Sequence, residues 1–82
     1  MEDVMLKQFE IVPRPRSWDV VHNQVSFRAC PAKRDAIRIA LTLGRMQVRL
    51  GDEAEVVLRD AAGETRATRR FGAADAVVVR AV

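Results

Sequence analysis

Apolar and polar positions alternate with period two over most of this chain and follow a period near 3.6 over one stretch. In Leu6–Val12, Phe9 and Ile11 share one face and Gln8 and Glu10 the other, the pattern of a half-buried strand. Pro13-Arg14-Pro15-Arg16-Ser17 ends it, because two prolines in three residues forbid continued ladder bonding. Ser17–His22 alternates again, with Trp18 and Val20 against Asp19 and Val21, and Trp18 reads as a core anchor. Asn23-Gln24 reads as a tight turn. Val25–Ala29 is expected to send Val25, Phe27 and Ala29 inward and Ser26 and Arg28 outward. Three strands with short links predict an antiparallel meander.

The 3.6 period covers Lys33–Arg49. At about 100° per residue, Ala36, Ala40 and Gly44 fall near the middle of an apolar arc bordered by Ile37 and Leu41 on one side and by Ile39, Leu43 and Met46 on the other. Small residues every fourth position would let this helix sit close to a sheet. The arc spans roughly 200°, against the ~100° stripe of an ordinary surface helix. Ile39, Leu43 and Met46 are therefore expected to meet the terminal segments or a second subunit. Arg34, Arg38, Arg45 and Arg49 share the polar sector with Asp35 and Thr42. Pro31 is placed to open the helix and Gly51 to cap its C-terminus.

Glu53–Arg59 is a further strand, with Ala54, Val56 and Leu58 on one face. Asp60–Glu64 makes a hairpin loop in which Gly63 accepts a positive φ cheaply. Thr65–Phe71 alternates Arg66, Thr68 and Arg70 against Ala67, Arg69 and Phe71, and so charged a strand suits a sheet edge. Val77–Val82 adds a sixth strand, pairs with a second copy or stays loose. The whole reads as one small α+β domain over residues 1–82, an antiparallel sheet with one helix packed on it in the order β-β-β-α-β-β. Residues 1–5 and 73–82 are expected to be loosely attached or partner-paired.

Composition changes this reading in three ways. Eighty-two residues bury a modest core, so association with a second copy would add stability. The net charge is +3, and twelve of the fourteen basic residues are Arg, which suits phosphate recognition but is also what a GC-rich genome supplies. The exposed candidates for phosphate contact are Arg14 and Arg16 on the proline loop, Arg34, Arg38, Arg45 and Arg49 on the helix, and Arg66 and Arg70 on the last strand. One cysteine and one histidine, Cys30 and His22, supply neither an intrachain disulfide nor a His-based zinc cluster, and Cys30 reads as a buried structural residue.

The carboxylates are scattered, with no paired spacing of the kind acid–base catalysis uses, so no enzyme, cofactor, metal or small-molecule substrate is expected. The first ten residues lack the apolar run of a secretory signal, and no stretch has the length of a membrane span. A cytoplasmic bacterial protein is the expectation.

Several short motifs resemble a family of small bacterial proteins, the domain-of-unknown-function 2188 family. They are Val12-Pro13, Trp18-Asp19-Val20-Val21, Arg28, Asp35-Ala36-Ile37 with Ala40, and Val56 through Gly63. The resemblance runs from about Phe9 to Phe71. The helix start departs from it, since members tend to have a threonine cap where this chain has Pro31-Ala32. The resemblance implies a small α+β fold and transfers no catalytic residue.

The function expected from the sequence is a non-enzymatic protein-interaction module that self-associates, through Ile39, Leu43, Met46, Val77 and Val79. The alternative is a nucleic-acid-binding accessory protein using the arginines for phosphate contacts.

Overall fold

The computed structural model describes residues 6–72. In chain order the elements are β1 (Leu6–Pro13), β2 (Trp18–His22), β3 (Val25–Cys30), α1 (Lys33–Arg49), β4 (Glu53–Arg59) and β5 (Thr65–Phe71). The α+β class and the element order agree with the sequence pattern. Residues 1–5 and 73–82, including the valine segment with Val77 and Val79, lie outside the described residues.

The strands form one sheet in the order β3-β2-β1-β4-β5. The β1–β2–β3 meander and the β4–β5 hairpin are antiparallel, as their short links require. The central pair β1–β4 is parallel, so the sheet is mixed rather than wholly antiparallel. The cause is the helix. It carries the chain from β3, at one edge, back past β2 and β1 to start β4, and a crossover of this length returns a strand in parallel.

One sheet face carries the core. Phe9, Ile11, Val20, Cys30, Ala54 and Val56 lie buried against Ala36 and Ala40 of α1, with Trp18, Ile37, Ile39, Leu41, Leu43, Leu58 and Phe71 packed around them. The buried helix residues are Ala36, Ala40 and Gly44, the small-residue row. Ile39 and Leu43 pack against the chain's own core, because strands flank the helix on both sides, while Met46 is largely exposed.

The helix ends as the sequence predicts and starts differently. Gly51 has φ +94°, its N–H donates to Val48 O (3.0 Å), and Asp52 N–H donates to Gln47 O (2.9 Å), the paired bonds of a Schellman cap. At the other end Ala32 is the cap residue and makes no side-chain bond, so Pro31 precedes the helix instead of opening it. Ala32 O accepts from the N–H groups of Asp35 and Ala36.

Both edge strands carry a bulge. Phe27 is the extra residue opposite the Val20–Val21 step, and Arg66 the extra residue opposite Leu58–Arg59. The first bulge corrects the reading of β3. Inserting one residue reverses the alternation beyond it. Val20 therefore pairs with Arg28 and Trp18 with Cys30, on the helix side, and Ala29 pairs with Asp19 on the other. Val25, Phe27 and Ala29 are all exposed rather than inward.

Candidate nucleic-acid interface

The sheet face away from α1 is not bare. Val21 and Val57 lie on it and are nevertheless buried. A lattice of long polar side chains is bonded across the same face. Arg59 donates through Nε (2.9 Å) and Nη2 (2.6 Å) to Glu10 Oε2, and through Nη1 to Thr65 Oγ1, joining β1, β4 and β5. Gln8 Nε2 donates to Glu55 Oε1 (2.8 Å), and Arg70 Nη2 to Glu53 Oε1 (3.2 Å).

Asp19 anchors the β2 end of this face. It is almost fully buried and accepts from Ser17 Oγ (2.9 Å), Ser26 Oγ (3.0 Å) and Arg14 Nε (3.3 Å). Burial pushes its carboxyl upward. The three hydrogen bonds, together with the Arg14 charge, more than offset that push and hold it below the usual carboxylate range.

The two sides differ in charge. The lattice face holds Glu10, Asp19, Glu53 and Glu55 against Arg14, Arg59 and Arg70, each of these cations being in an ion pair. The helix and the strand positions facing it hold Lys7, Arg28, Lys33, Arg34, Arg38, Arg45, Arg49 and Arg69, against Asp35 alone. Asp35 lies 3.8 Å from Arg38 in an exposed i,i+3 pair. Clefts run along both flanks of α1. One is lined by Ile37, Leu41, Leu58, Ala67 and Arg69, the other by Arg28, Cys30, Asp35, Arg38 and Ile39.

The arginines proposed from sequence thus separate. Arg34, Arg38, Arg45 and Arg49 are exposed along α1. Arg14 is bonded to Asp19, Arg70 to Glu53, and Arg66 lies 3.8 Å from Asp60, so these three are occupied by acids of their own chain. Arg16 is exposed on the β1–β2 loop. Arg28 and Arg69 join the helix side. Arg69 was findable, since it alternates in phase with Phe71 and Ala67, the apolar face of β5. Arg28 was hidden by the bulge.

Two aromatic rings on this side, Trp18 and Phe71, lie close to cations. Lys33 Nζ lies 5.5 Å from the Trp18 ring centroid, and Arg45 and Arg69 both approach Phe71. His22 stacks on Phe9 at 4.7 Å, and its Nδ1–H donates to Gln8 O (2.9 Å). Cys30 is buried at the opposite end of the β2–β3 hairpin. Among the described residues no helix is long and apolar enough to cross a membrane. Comparison with models of known protein families, with curated proteins and with solved structures gave no match.

Proposed function

We propose that this is a nucleic-acid-associated accessory protein of the cytoplasm, which grips the phosphate backbone through its helix side and catalyses no reaction. The observation that carries this reading is the separation of charge. A net +3 understates the field at the helix side, where among the described residues α1 and the strand positions facing it hold eight cations and one carboxylate, while Arg14, Arg59 and Arg70 of the opposite face are each paired with an acid. A one-sided field of this kind attracts a polyanion and orients it. Base readout is not part of the proposal. Trp18 and Phe71 already lie beneath cations, so neither is free to stack a base. Affinity for a mixed-sequence DNA duplex across a salt series tests it. The logarithm of the binding constant is expected to fall with the logarithm of salt with a slope of about −2 to −4. Weak binding with no slope would remove the proposal.

Self-association as a protein-interaction module is the second reading. It is favoured by the exposure of Val25, Phe27, Met46 and Leu50. Bulges on both edge strands disfavour pairing edge to edge, so a second copy would meet the Met46 flank of α1. Light scattering decides it: a dimer mass that Met46→Glu reduces supports it, and a strict monomer at all concentrations opposes it. Membership of the family resembled in sequence is proposed on the short motifs quoted above together with the element order.

A further inference from the structure

We propose that Arg45 and Arg69, converging on Phe71, form a clamp for nucleic-acid phosphates, and that affinity is concentrated there rather than spread evenly over the helix side. This rests on the phosphate-binding reading above. The two guanidinium carbons lie 5.9 and 5.4 Å from the centroid of one ring, although one residue belongs to α1 and the other to the edge strand β5. They are therefore under about 12 Å apart, beyond the Debye length of about 8 Å in physiological salt but well within the ~30 Å of 0.01 M salt, so each feels the other's charge at low salt.

Among the described residues neither has a carboxylate within 4.0 Å, whereas Arg66 and Arg70 on the same strand have Asp60 and Glu53. Two like charges gathered without a counter-ion oppose each other, and an anion received between them relieves that repulsion. Phe71 is the scaffold. The ring holds both guanidiniums near it, which lowers the freedom each would lose on binding. The ring can seat against α1 because residue 44 is glycine. The groups held are guanidiniums rather than ammoniums, so each can make forked bonds to a phosphate. The ligand class is a phosphodiester backbone, taken at neighbouring phosphates.

The test is fluorescence anisotropy of a labelled mixed-sequence DNA duplex over a salt series, with wild type, Arg45→Ala, Arg69→Ala, the double variant, and Arg66→Ala and Arg70→Ala as controls. Circular dichroism verifies the fold of each; all four arginines are exposed, so folding is expected to survive. Each clamp variant is expected to lower the salt slope by about 1 and the double variant by about 2, with roughly tenfold weaker binding per residue at low salt. The controls should move both quantities much less. Phe71→Leu, which leaves the charge unchanged, should weaken binding severalfold. Clamp variants no weaker than the controls would overturn the clamp and leave the general phosphate reading standing. Absence of wild-type binding would overturn both. Arginine-dependent binding to phosphatidylserine vesicles with none to the duplex would also overturn both.

Discussion

A β-carbon placed on Gly44 of the helix would stand 3.2 Å from Cδ2 of Phe71 on the edge strand. The contact fixes how closely α1 lies on the sheet, and Ala54 Cβ, 3.5 Å from the same point, closes the space from below. Gly44→Leu is expected to destabilise the fold by about 2 kcal/mol or more, since the interior leaves no room for the added carbons. Urea denaturation reads this directly, and an unchanged midpoint would show that the helix rides higher.

Asp19 makes stability depend on acid. Its carboxyl is held below the ordinary range in the folded chain, so its contribution is fully present above the unfolded value of about 3.9 and is lost as pH falls through the lower folded value. Asp19→Asn should therefore be less stable than wild type at neutral pH, and the gap should narrow below about pH 4. Thermal melts of both proteins across the acid range check the sign. A gap that stays constant down to the lowest pH contradicts it.

The β2–β3 turn stores a small strain. Asn23 and Gln24 both take positive φ, 52° and 66°, as a two-residue turn of the primed type demands. Asn tolerates this conformation and Gln does not favour it. Gln24→Gly should raise stability by roughly 0.5–1 kcal/mol, visible as a higher melting temperature.

Removing a lattice arginine should matter more than removing a helix arginine. Arg59 is three-quarters buried and bonded to Glu10 and Thr65, while Arg34 is exposed. Arg59→Ala is expected to lower stability by about 1 kcal/mol, a figure reduced for its partial exposure, and Arg34→Ala by less than about 0.5. Equal effects in chemical denaturation would mean that the lattice does not hold the uncovered face.

The helix was legible in the sequence because local rules fix it. The small-residue row, the 3.6 period and Gly51 all depend on neighbours a few positions away. Strand neighbours across the crossover depend on the whole fold. Yet the second face of two strands carried a trace of the order: Val57 and Val21, apolar on the side away from the helix, fit interior positions for β4 and β2, and charged β5 fits an edge, while Gln8 and Glu10 gave no such sign for central β1. The bulge at Phe27 left no comparable trace, and with it went the true facing of Arg28 and Ala29. Which arginines are neutralised was hidden for a related reason. Arg59 and Glu10 are 49 residues apart, and Arg70 and Glu53 are 17 apart, so only tertiary pairing brings them together.

The central claim is that the helix side, and not the ion-paired face, receives a phosphate backbone. Backbone-amide chemical shifts during titration with a mixed-sequence DNA duplex test it most directly. The account predicts shifts along Arg34–Arg49 and at Arg69–Phe71, with Gln8, Glu10, Asp19 and Glu55 unmoved. Shifts confined to those four and their strand neighbours, or no shifts at low salt, would contradict it.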